Sequence, residues 1–103
     1  MLKKAINKDK TGDNFVLRLF VAGASANSAR AISNIKAICK LYLNNRYNLE
    51  IIDVYQQPLI AQKEQLIALP LLIKKIPLPE CRIFGDMSDI KKVLKGLGIN
   101  QAV

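Results

Sequence analysis

Seven residues, Phe15-Val16-Leu17-Arg18-Leu19-Phe20-Val21, form an apolar run broken only by Arg18 and bounded by Gly12-Asp13-Asn14 and by Gly23. A run of this length between turn formers predicts a central β-strand. From Ser28 to Leu43 the apolar positions change period and recur at Ile32, Ile35, Ile38/Cys39 and Tyr42/Leu43. Steps of three and four draw one stripe along a helix of about four turns. Ser25, Asn27 and Ser28 supply oxygens to cap its start, and Asn44-Asn45 ends it. Leu49 to Val54 returns to strand character, and a crossover with a helix inside it makes the two strands parallel. Pro58 at a first helical position opens a short helix running to Leu66.

After Pro70, Leu71-Leu72-Ile73 predicts a third, buried strand. Lys74-Lys75-Ile76-Pro77-Leu78-Pro79 then reads as a stiff proline turn, and Cys81 to Phe84 as a strand antiparallel to the third. Gly85-Asp86 breaks that strand. Ser88 is expected to cap a last helix, Asp89 to Leu97, with acids at its start and Lys91, Lys92 and Lys95 towards its end, as the helix dipole favours. The resulting order, βαβαββα, is an α/β arrangement of the thioredoxin-like kind. Pro70 falls where such folds place a cis-proline loop, so a cis bond is expected there. The positions that would carry redox cysteines hold Ala24, Ser25, Ala26 and Asn27. The scaffold without that chemistry points to binding rather than catalysis.

Composition narrows the function further. The chain of 103 residues suits one domain, residues 14–103, preceded by a flexible basic tail over residues 1–13. Half of its residues are hydrophobic, which excludes a disordered chain. No apolar stretch approaches the ~20 residues that span a bilayer. Without a secretory signal, Cys39 and Cys81 read as reduced thiols of a cytoplasmic protein. The net charge of +8 favours encounter with acidic partners without choosing among them. The absence of histidine excludes His-based acid–base and metal chemistry, and the carboxylates show no paired spacing. No glycine-rich phosphate loop occurs, so no cofactor is expected and any nucleotide belongs to a partner. A redox enzyme is disfavoured because Cys39 sits about three turns inside its helix, away from the N-terminus that activates a thiolate. A basic nucleic-acid binder is disfavoured because three tyrosines and three phenylalanines do not interleave with arginines.

A family resemblance rests on particular residues. Phe15 to Gly23 followed by Asn27-Ser28-Ala29-Arg30-Ala31, Ile52-Asp53-Val54 with Pro58 and Ala61, Ala68-x-Pro70-x-Leu72, Ile83-x-Gly85-Asp86-x-Ser88, Lys92-Val93-Leu94 and Gly96-Leu97 together resemble the KaiB circadian clock family. The resemblance runs without a gap from Phe15 to Leu97. It implies a metamorphic, non-enzymatic adaptor. In the family an oligomeric ground state, dimer or tetramer, shares its N-terminal half with a thioredoxin-like monomer and differs after it. It further implies that the thioredoxin-like state binds a KaiC-like ATPase and modulates its phosphorylation or signalling, in a circadian rhythm or in stress adaptation, with a KaiA-like protein or a sensor histidine kinase as further partners.

By the same resemblance Arg30, Lys74 and Arg82 contribute to a basic surface, and Tyr47 and Glu50 occupy partner-binding positions at the second strand. Pro70, Pro77 and Gly96 belong to the region that switches. An ordinary solvated charge is the competing account of Arg30 and Lys74, core packing that of Tyr47, and a helix C-cap that of Gly96. Several residues depart from the family pattern. Glu50 stands where clock members carry a lysine that helps dock on KaiC, Gly98 replaces an acid, Leu69 replaces a threonine, and an acidic tail is missing before Val103. These departures indicate a divergent branch.

Overall fold

The computed structural model describes residues 14–66 and 68–99; the tail expected over residues 1–13 lies outside them. The chain alternates β1 (Phe15–Val21), α1 (Ala26–Tyr42), β2 (Tyr47–Asp53), α2 (Pro58–Lys63), β3 (Leu71–Ile76), β4 (Cys81–Phe84) and α3 (Ile90–Leu97). The strands form one sheet in the order β2-β1-β3-β4. β1 pairs parallel with β2, as the crossover through α1 requires, and antiparallel with β3, which pairs antiparallel with β4. The order predicted from periodicity is therefore the order observed.

Alternation along the strands divides the core in two. On one face Phe15, Leu17, Leu19 and Val21 of β1, Leu72 of β3 and Ile83 of β4 pack against Ala31, Ile35, Ile38 and Cys39 of α1 and Val93, Leu94 and Leu97 of α3. On the other face Phe20, Ile52, Leu71 and Ile73 form a smaller cluster against Val54, Ile60, Leu66 and Leu69 around α2. α2 has only six residues and no side-chain cap at its start. It shelters one end of that face and leaves the rest uncovered by a helix.

Four boundaries differ from the sequence reading. β3 continues through Lys74 and Lys75 to Ile76: Lys74 pairs with Leu17 of β1 and Cys81 of β4, Lys75 falls at the register shift between Val16 and Leu17, and Ile76 resumes the pairing with Val16. α2 stops at Lys63, where Gln65 turns left-handed at φ 56°. Asp89, not Ser88, caps α3, its carboxylate accepting from the Lys92 N–H at 3.2 Å. The helix ends on Gly98 at φ 78°, so Gly98 and not Gly96 is its left-handed terminus. The Leu69–Pro70 bond is cis, as expected, and so are Ile76–Pro77 and Leu78–Pro79. Pro70 is buried, and its carbonyl accepts from the Gly85 N–H at 3.0 Å, tying the entry of β3 to the exit of β4.

Candidate partner-binding face

The face that α2 leaves uncovered carries charge where its neighbours carry hydrocarbon. Arg18 stands in mid-β1, opposite Glu50 of β2, and its Nε donates to the Glu50 carboxylate at 3.1 Å. Its Nη1 reaches Glu64, just past α2, at 3.4 Å. Glu64 also accepts from Lys75 Nζ of β3 at 2.9 Å and stands 3.6 Å from Arg82 Nη2 of β4. Arg82 donates in addition to the Glu64 carbonyl at 2.6 Å and to the Gln65 carbonyl at 3.5 Å. One carboxylate thus gathers three cations from three strands and fastens the end of α2 across them. Glu64 is the most enclosed of the four, with 14% of its side chain exposed against 29–31% for the cations.

Beside this network lies a shallow depression lined by Val54, Tyr55, Pro58, Ala61 and Leu66, with Gln62 and Gln65 at its margin. Tyr55 and Leu59 project next to it, about three-quarters exposed. These exposed apolar side chains of α2 and the loop before it border the charged strip, and apolar anchors beside polar groups are the composition of a protein-docking surface.

The residues singled out in the sequence do not converge on one basic cleft. Arg30 sits on the outer side of α1, bonded to Asn27 and, at 3.1 Å, to Asp86. Asn34 donates to the Asp86 carbonyl at 2.9 Å, so this contact joins α1 to the loop before α3. Tyr47, the first residue of β2, packs against the helix-side core. Glu50 and Arg82 lie on the open face. Lys74 is buried on the opposite, helix-covered face. Pro77 shapes the turn between β3 and β4, and Gly96 lies in α3 against Ile83. Arg18 and Glu64 were not among the expected site residues. A charge inside an apolar run was the one sequence signal for Arg18, and nothing local marked Glu64.

The Cys39 sulfur is unlike that of an activated thiol. Cys39 is fully buried in α1, and burial pushes its pKa up to about 11. A redox thiolate needs the opposite shift. At the N-terminus of α1 the cap is a hydroxyl, Ser25, which accepts from the Ser28 N–H at 3.1 Å.

Asp86 is held below the usual carboxylate range, first by hydrogen bonds from the Ser88 hydroxyl and backbone N–H and then by Arg30. A lowered folded-state pKa gives a contribution that is complete above the ordinary aspartate value and is lost as pH falls through the lowered one. Arg30→Ala is therefore expected to raise the Asp86 titration midpoint, followed through its side-chain carboxyl signal by NMR. An unmoved midpoint would show that Ser88 alone sets it.

Comparison with known proteins places this geometry. The KaiB domain profile matches residues 18–99. The circadian clock protein KaiB3 of Synechocystis sp. is 49% identical over 87 residues, covering 84% of this chain and 85% of that one. The circadian clock oscillator protein KaiB of Synechococcus elongatus is 42% identical over 85 residues, covering 82% and 83%. Among solved structures, the N-terminal domain of Synechococcus elongatus SasA superposes with a TM-score of 0.68 at 18% identity, over 98% of this chain and 99% of that one. A thioredoxin of Malassezia sympodialis gives 0.65 at 19%, over 82% and 77%. These two likenesses establish the thioredoxin-like fold.

Proposed function

This chain belongs to the KaiB family, and from that premise we propose that it is a non-enzymatic, fold-switching adaptor of the cytoplasm whose thioredoxin-like state docks on a KaiC-like ATPase and modulates its phosphorylation or signalling output. The observation that carries the reading is the open sheet face. Its charged strip borders the apolar anchors of α2 and the loop before it, on a fold whose redox positions hold no cysteine. In this reading the β1-α1-β2 half is common to two packings and the half after Asp53 rearranges, with a dimer or tetramer as the resting species. Two such packings must lie within a few kcal/mol of each other for a partner to shift the population.

Glu50 favours a second partner class, a sensor histidine kinase. At the position where clock members carry a lysine, this chain presents a carboxylate already paired to Arg18. A carboxylate facing an acidic patch opposes docking. Capture from the native host, followed by calorimetry with the recovered partner, separates the two. A KaiC-like ATPase is expected to be retained, and Glu50→Lys to tighten its binding by about tenfold, or ~1.4 kcal/mol. Recovery of a histidine kinase without any KaiC-like ATPase would replace the first reading by the second.

A further inference from the structure

Lys74 is 4% exposed, and no carboxylate of the described residues stands within ion-pair distance of it. A buried ammonium is normally paired, because removing it from water costs more than packing returns. The Lys74 side chain lines a pocket of about 430 Å³ between the start of β1, the end of α1, the β3–β4 turn and the end of α3. Arg46 also lines this pocket, and among the described residues no acid does. The remaining wall includes Phe15, Tyr42, Pro77 and Leu97. A methyl group on Gly98 would sit 3.8 Å from Lys74 Nζ, so the C-terminus of α3 lies close by. Its partial negative charge, about half an elementary charge, offsets only part of the ammonium.

We propose that this pocket binds a small organic carboxylate with an apolar body. The carboxylate completes the charge of Lys74, and the planar fork of Arg46 pairs with it from the rim. The hydrocarbon lies against Phe15, Pro77 and Leu97. A monoanion matches the single charge of Lys74, whereas a phosphate would bring a further charge against apolar walls. The volume is within the range of small-molecule sites, about 300–1,000 Å³. This inference does not rest on the ATPase or kinase reading, whose docking face is on the other side of the sheet.

The test is an NMR titration of the whole chain with hexanoate, with hexanol and inorganic phosphate as controls. Hexanoate is expected to give saturable amide shifts at Phe15, Lys74 and Gly98, and hexanol and phosphate none. Saturation is expected whichever arrangement predominates at rest, because a ligand held by one packing draws population into it. Lys74→Met is expected to weaken binding by roughly tenfold or more. Arg46→Gln, at an exposed side chain whose backbone alone holds the turn, is expected to weaken it by a few-fold. The proposal is overturned by absence of saturation, by hexanol or phosphate binding equally well, or by full affinity in Arg46→Gln. The last variant decides the matter even where Lys74→Met fails to fold.

Discussion

Replacing Glu64 by glutamine is expected to destabilise the thioredoxin-like arrangement by ~2 kcal/mol, read by denaturant unfolding and by the loss of its amide resonances. The figure lies between two limits. Breaking a fully buried pair by removing one partner costs about 3–5 kcal/mol, and exposed pairs are worth about 0–1. Glu64 is nearly enclosed, while Arg18, Lys75 and Arg82 are about a third exposed and partly screened by solvent. Glutamine keeps the shape and one acceptor but removes the charge that three cations share, so that Arg82 loses its carboxylate while Arg18 keeps Glu50 and Lys75 keeps Glu80. The cost falls on the packing that brings β3 and β4 beside Arg18. In the fold-switching reading proposed above, a packing that separates these strands escapes the cost, and the population is expected to move towards the oligomer. The loss of one negative charge also makes the open face more basic, and an acidic partner is expected to associate faster with whatever fraction keeps the fold. Stability and attraction thus change in opposite directions. A double-mutant cycle with Lys75→Met isolates the pair. Unchanged stability of Glu64→Gln would show that the network is ornamental.

The sequence made β1, α1 and β4 readable because each carries an uninterrupted period between turn formers. It misplaced the end of β3 because Lys74-Lys75 looks like a charged turn. In a strand two adjacent lysines go to opposite faces, one into the helix-side pocket and one to Glu64, and only the neighbouring strand decides that the ladder resumes beyond them at Ile76. The family resemblance pointed to a basic surface, yet Arg18, Arg30, Lys75 and Arg82 are all paired with acids. Those partners lie far away in the chain, and no spacing rule links Glu64 to Arg18. Glu50 was recognisable as a departure from the family pattern, but its pairing with Arg18 follows from the parallel register alone. Gly96 stood out as part of the switching region implied by the resemblance, or as a helix C-cap. The structure gives a different reason for it.

A Cβ on Gly96 would stand 2.5 Å from Cδ1 and 2.7 Å from Cγ1 of Ile83. Glycine is needed there because α3 lies directly on β4, and neither its φ nor a cap is involved. Ile83 cannot withdraw freely, since it is 4% exposed and pairs across the sheet with Leu72, which is fully buried. Alanine would recover about 1 kcal/mol of helix propensity against this collision. Valine adds two methyl groups and a stiff χ1, so overpacking prevails. Gly96→Val is expected to cost ~3 kcal/mol and to loosen α3 from the sheet, measured as a fall in unfolding midpoint and a loss of amide protection over Ile90–Leu97. The second site distinguishes collision from a backbone effect. Ile83→Ala on its own opens a cavity and destabilises the chain, but in the Gly96→Val background it relieves the contact. The double variant is therefore expected to be more stable than the two separate losses predict, by ~1 kcal/mol or more. Strict additivity would place the role of Gly96 in the backbone instead, and would leave the close seating of α3 on β4 without an energetic consequence.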